Sequence, residues 1–259
     1  MRNQAVSGQS STVLPSQRTV DMGCRGFSLI ELLMALTIGG VAVSAALYMF
    51  SAYGGRFHAQ QSAMVSNQEL RLAMDVLCNE VRLAGAGVMG GDVPLTTMRP
   101  DEMEFFANLN GTATVLTRLA LPGEAELSVE NAAGWSKGKQ VLLCTAESCM
   151  WNRLAAEGRK LALPLTTPLA AALPARSAAF LLNRVHYYLK VDEDGTTRLM
   201  RAVDGGASTL VADVREFHLQ YLDRHGRETA AADEVVRVRV RAQVGVSGTP
   251  FTQDIAIRA

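Results

Sequence analysis

The chain has 259 residues, enough for one ordinary domain plus an anchor or for two small domains. Hydrophobic residues make up 48% and charged residues 19%, which excludes disorder as the default and allows a packed core. Lys+Arg and Asp+Glu both number 25, so a formal net charge of +0 gives no global field for nucleic acid or an anionic surface.

Residues 1–24 are rich in Ser, Gln, Thr, Gly and Val, and Pro15 interrupts any helix. No apolar period is present, so the segment reads as unstructured. The next stretch is Arg25-Gly26-Phe27-Ser28-Leu29-Ile30-Glu31-Leu32-Leu33-Met34-Ala35-Leu36-Thr37. A polar step ends at Gly26, and an apolar helix is predicted from Phe27 to about Phe50. Residues 32–50 form a run of 19 without a charge. That is about what a bilayer core of roughly 30 Å needs at ~1.5 Å per residue. A secretory signal would carry its apolar run before the cut and end on small residues. Here the apolar run follows the polar step. Arg18 and Arg25 precede it, offset by Asp21, and Arg56 follows it. The bias favours the leader in the cytoplasm and the bulk of the chain outside it.

These residues resemble the class III signal of type IV pilins and of the pseudopilins of type II secretion. The resemblance implies cleavage by a membrane peptidase between Gly26 and Phe27, and N-methylation of the new N-terminal Phe27. It also implies an assembly role for Glu31, the fifth mature residue, which would pair with the freed α-amino group of a neighbouring subunit and set axial register. Physical chemistry agrees that Glu31 needs a partner, because a carboxylate in hydrocarbon costs roughly 3 kcal/mol on insertion scales. The alternatives are a buried core helix and an interfacial glutamate without a role. Ser28 and Thr37 read as helix-compatible small polar residues. Gly39-Gly40 and Gly54-Gly55 weaken the helix at two points, at about 1 kcal/mol per glycine relative to alanine.

From Arg56 the pattern becomes amphipathic. Met64, Leu70, Met74, Leu77, Val81 and Ala84 are expected on the buried stripe, with Asn67, Gln68, Glu69, Arg71, Asp75, Asn79, Glu80 and Arg82 on the wet face. Cys78 lies beside the stripe and reads as a small buried hydrophobe. Gly85-Ala86-Gly87 is expected to end the helix.

The remainder is strand-rich. Strands are expected over 102–107, 112–121, 126–130, 139–145, 150–154, 160–163, 180–191, 196–203, 210–214, 217–222, 235–246 and 252–257, the last at a sheet edge. Asn108 to Gly111, Asp192-Glu193-Asp194-Gly195 and Asp223-Arg224-His225-Gly226 are the turns. Cys144 and Cys149 bracket a short turn, and in a periplasmic head they would form a disulfide. The acidic residues Asp192, Glu193 and Asp194 read as a solvated hairpin tip rather than a calcium loop. Arg237, Arg239 and Arg241 alternate with valines and read as the solvated face of a strand rather than a nucleic-acid patch. No Gly-x-Ser-x-Gly, phosphate loop, His-Glu-x-x-His or dinucleotide fingerprint occurs, and His58, His186, His218 and His225 are scattered. No enzyme activity, cofactor or metal is expected.

Tyr187-Tyr188, Leu199-Met200-Arg201, Val214-Arg215-Glu216-Phe217 and Tyr221-Leu222-Asp223, followed by a valine strand, resemble PilW-type minor pilins and J-type pseudopilins. The expected fold class is α+β, pilin-like: a long N-terminal helix packed on an antiparallel β-sheet head. The expected division is a leader over 1–26, a helix over 27–84 with a membrane span at about 30–53, and a head over 85–259. The resemblance implies a minor pilin that helps start, assemble or cap a type IV pilus. A J-type pseudopilin of type II secretion and a pilus-tip module for adhesion or DNA uptake are the alternatives, and a membrane-anchored enzyme is a third class. Implied partners are other minor and major pilin or pseudopilin subunits, the prepilin peptidase/methyltransferase, the inner-membrane assembly platform and the lipid bilayer, but not nucleic acid. The implied location is the inner membrane, single-pass, with a periplasmic head, and later a pilus or pseudopilus.

Overall fold

The computed structural model describes residues 28–84, 95–245 and 248–257. The expected leader, Cys24, Gly26, Phe27 and the Gly85-Ala86-Gly87 stop lie outside the described residues. The chain divides into two compact units, Met1–Arg56 and Phe57–Ala259. One helix, α1 (Leu29–Leu83), includes both glycine pairs without a break.

In the first unit the helix is apolar all round. Leu29–Gly54 is a 26-residue stretch long and apolar enough to cross a membrane, and none of its most apolar window is buried. Two of its hydroxyls are satisfied by their own helix. Thr37 donates to the Met34 carbonyl at 2.9 Å, and Ser44 donates to the Gly40 carbonyl at 2.8 Å. That leaves no side-chain hydroxyl at those positions in need of water.

The second unit is a β-rich body with antiparallel pairing throughout. In chain order its strands are β1 (Leu95–Met98), β2 (Glu102–Ala107), β3 (Ala113–Val115), β4 (Glu126–Ser128), β5 (Gln140–Cys144), β6 (Cys149–Arg153), β7 (Ala162–Pro164) and β8 (Ala178–Val191). Then come β9 (Thr197–Val203), β10 (Gly206–Val211), β11 (Val214–Leu222), β12 (Arg237–Val244) and β13 (Phe251–Ala256). The organising strand is β8. Its first half pairs with β3 and β5, and its second half with β2 and β9. The β1, β6 and β10 strands extend this eight-stranded sheet, β11-β12-β13 make a second sheet, and β4-β7 a small third one.

The helical segment of this unit buries Leu70, Ala73, Met74, Leu77, Cys78 and Val81. Steps of three and one residues keep them on one stripe. They share a core with Met103, Phe105, Val185, Tyr187 and Leu199 of the large sheet and with Phe217, Leu219, Val238, Val240 and Ile255 of the second sheet. A separate cluster joins Leu127, Val129, Leu143, Leu163, Leu173 and Ala179. A small third one joins Leu142, Cys144 and Leu182, with Phe106, Trp151 and Phe180 packed against it.

Several expectations are corrected. Met64 is 64% exposed and lies off the buried stripe. Glu80, expected on the wet face, is only 8% exposed. Only Ala113–Val115 of the expected 112–121 strand is a strand. The rest of that segment is tied down by isolated bridges, Leu116 to Val129 and Ala120 to Leu173. A four-residue edge strand, β1, was not expected. The expected 210–214 strand is divided, with Leu210 and Val211 ending β10 and Val214 opening β11; β10 itself begins at Gly206, and Val203 pairs with Gly206 across Asp204-Gly205, which have φ of 53° and 92°. Positive φ at both central residues is the type I′ hairpin conformation that Asp-Gly favours. The strand at 252–257 does lie at an edge, because β13 pairs with β12.

Candidate functional site: the start of the apolar helix

Ser28 precedes the first helical residue, Leu29, and its carbonyl accepts from Leu32 N–H at 3.2 Å. Its own N–H donates to Glu31 Oε2, also at 3.2 Å. The spacing Ser-x-x-Glu places Glu31 at the third helical position, where a carboxylate can reach back to the cap residue's amide. This is half of a capping box. It also sets a negative charge in the first turn, at the positive end of the helix dipole. Glu31 is exposed, and among the described residues its other oxygen, Oε1, accepts no hydrogen bond. The helix start is thus an acidic acceptor at the head of an uncovered apolar rod. That arrangement suits a cationic partner, and no metal-ligand set occurs among the described residues.

Residues 21–47 match the prokaryotic N-terminal methylation motif. This is the signal of type IV pilin-like proteins, a structural rather than catalytic class. The motif implies processing by a prepilin peptidase and assembly with other pilin subunits, and with the apolar helix it suggests membrane anchoring or pilus association. Compared with curated proteins, the chain has no significant match.

The other expected sites resolve as follows. Cys144 and Cys149 are disulfide-bonded with a Cα–Cα distance of 4.0 Å, at directly paired positions of the β5–β6 hairpin. Cys78 is a free, buried thiol whose Sγ lies 3.4 Å from Gln253 Oε1. Burial pushes its pKa up to about 11. At the acidic tip, Asp192 pairs with Arg198 and with Lys190, and Gly195 N–H closes the turn on the Asp192 carbonyl at 3.0 Å. No group of His, Cys, Asp or Glu suited to a metal occurs among the described residues. Arg239 forms a double hydrogen bond with Asp254, at 2.7 and 3.0 Å, while Arg237 also faces Asp254 and Arg241 pairs with Glu216. The arginine row is therefore matched by carboxylates on both neighbouring strands.

Sequence reasoning missed the polar node inside the core. Glu80 accepts from the Tyr187 hydroxyl at 2.5 Å and from Arg201 Nε at 3.0 and 3.1 Å, and Arg201 Nη2 joins it. Burial raises the Tyr187 hydroxyl well above its ordinary range, and the Glu80 charge adds to that. The helical wheel held the signal, because Glu80 follows Leu77 by three and precedes Ala84 by four. Residue type outweighed position in the expectation. His186 Nε2 also lies 2.8 Å from Glu102 Oε1.

Proposed function

We propose that the protein is a minor pilin that takes part in initiating, assembling or capping a type IV pilus. Residues 1–26 are a leader, 27–84 form the anchor-bearing helix with its span at about 30–53, and 85–259 are the head. Cleavage between Gly26 and Phe27 frees an α-amino group, which is methylated. The protein waits in the inner membrane with its head in the periplasm. During assembly Glu31 binds the cationic N-terminus of the neighbouring subunit, and the apolar helix leaves lipid for the filament core.

The observation that carries the reading is the placement of Glu31. It lies within the matched methylation motif, at the head of an uncovered 26-residue apolar stretch of α1. Replacing lipid by neighbouring apolar helices costs little, so the polar Glu31 pairing is what selects register. The disulfide in the head suits an oxidising compartment outside the cytoplasm.

The test is filament incorporation of Glu31→Gln and Glu31→Ala in the natural host, with membrane levels of the protein measured alongside. The expected result is normal membrane accumulation and loss of incorporation in both variants. Incorporation of Glu31→Ala at the wild-type level would remove the register role.

A further inference from the structure

Side chains alternate across a strand, so the sheet face opposite Tyr187 and Val185 carries Leu182, Arg184 and His186 of β8. On that face lies a cleft of about 390 Å³ lined by Phe106, Lys137, Lys139, Arg153, Arg184 and Asp204, among others. The strand registers explain the convergence. Phe106 pairs with Arg184, while Leu182, Gln140 and Arg153 form one row across β8, β5 and β6. The Asp204-Gly205 turn closes one side, with Gly205 presenting no side chain.

Four cations face one carboxylate here, in a chain whose formal net charge is +0. That carboxylate is already engaged. Asp204 takes Lys139, the Asn183 amide at 2.7 Å and the Arg184 backbone N–H at 3.0 Å. Arg184 pairs with Glu104 at 2.6 Å. Lys137 and Arg153 have no carboxylate partner among the described residues. With the Gln140 amide oriented to donate to the Asn152 carbonyl at 2.8 Å, its oxygen accepts from Arg153 at 3.0 Å and steadies the guanidinium. Phe106 is held edge-on to Trp151, with ring centroids 5.6 Å apart, and turns part of its surface to the cleft.

We propose that this cleft binds a phosphate ester. The phosphate sits between Lys137 and Arg153, and the ring or sugar it carries lies against Phe106. Lysine and arginine offer only donors, which suits an oxyanion and rejects neutral acceptor-poor ligands. The guanidinium fork matches two oxygens of one phosphate, and the exposed Lys137 ammonium supplies the second charge not already taken by a carboxylate. The aromatic flank separates an ester from a bare anion, because base and sugar faces gain from stacking on such a ring.

The test is equilibrium dialysis of the full-length protein in detergent micelles against labelled inorganic phosphate and, separately, labelled AMP at low ionic strength. Saturable binding of both is expected, with AMP the tighter. Lys137→Gln and Arg153→Gln should each weaken phosphate binding about tenfold, as loss of one charged hydrogen bond does. Both side chains are exposed, so thermal melting should not change. Phe106→Leu should remove the advantage of AMP and leave phosphate binding in place. Absence of saturable binding at millimolar ligand, or full binding by the Lys137→Gln/Arg153→Gln protein, would overturn the proposal. Equal affinity for AMP and phosphate would overturn the assignment of Phe106. None of these outcomes bears on the pilin assembly reading, which uses the other end of the chain.

Discussion

The Tyr187 hydroxyl donates to Glu80 at 2.5 Å, joining the middle of the long strand β8 to the last turn of α1 inside the apolar core of the second unit. Tyr187 is fully buried, and Glu80 reaches it from a stripe of Leu77, Val81 and Ala84. Arg201 on β9 closes the node and supplies the counter-charge. Sliding the helix by one residue along the sheet would turn Glu80 away and bury a lone guanidinium edge. The node therefore specifies how the helical segment docks in a way that aliphatic packing alone does not.

Removing the carboxylate should be costly. Glu80→Ala is expected to lower stability by about 2–3 kcal/mol, toward the low end for a broken buried pair because Arg201 keeps partial access to water. Tyr187→Phe should cost about 1 kcal/mol, since Arg201 still satisfies Glu80. Glu80→Leu combined with Arg201→Met and Tyr187→Phe, which removes all three polar groups together, should recover most of the loss. Denaturant melts of the full-length protein in detergent measure all three, and an unchanged midpoint for Glu80→Ala would contradict the docking role.

Asp204 gives a pH dependence of defined sign. Burial alone would raise its pKa, but hydrogen bonds from Lys139, Asn183 and the Arg184 backbone outweigh this and hold it below 3.8. A depressed folded pKa stabilises the fold above the ordinary value and loses that contribution as pH falls through the folded one. Asp204→Asn should therefore lower the melting midpoint at pH 7, with the gap to wild type narrowing below pH 3.8. A gap that is constant down to pH 2 would argue against an ionised Asp204 as the turn's anchor.

The disulfide should act as a local staple. With a sequence separation of 5, the chain-entropy model gives about 2 kcal/mol. The paired Cys144→Ser/Cys149→Ser protein should fold with a midpoint reduced by no more than that. Complete failure of the head to fold would show that the bridge organises more than the β5–β6 hairpin.

Cys78 should be chemically silent in the native state. Its pKa of about 11 leaves almost no thiolate at neutral pH, and the group is buried. Alkylation by iodoacetamide at pH 7 is expected to follow unfolding. Rapid modification of the native protein would mean that the helix stripe opens there.

The long helix was legible because two periods follow one another in it: an unbroken apolar run, then a three-and-four stripe. The antiparallel head was legible wherever strands were long or alternating, as in Ala178–Val191 and Arg237–Val244. The first part of the strand Gly206–Val211 was missed although Asp204-Gly205 is a strong hairpin signal, because residues 206–209 are small and exposed. The cleft around Arg153 was not legible at all. It is assembled from strand registers that join residues 106, 140, 153 and 184, and local sequence does not encode those registers. At the helix start, Ser28 and Glu31 were seen separately. Their backbone-to-carboxylate bond is a matter of helix phase, fixed by where the first turn begins.

In the proposed function this chain is cut and modified before the helix with Glu31 at its head is used for assembly. Intact-mass and fragment mass spectrometry of the protein purified from its natural membrane tests that most directly. The expected product is a mature chain beginning at Phe27 and carrying one methyl group on its α-amino nitrogen. A chain that retains residues 1–26, or begins at an unmodified residue elsewhere, would contradict it.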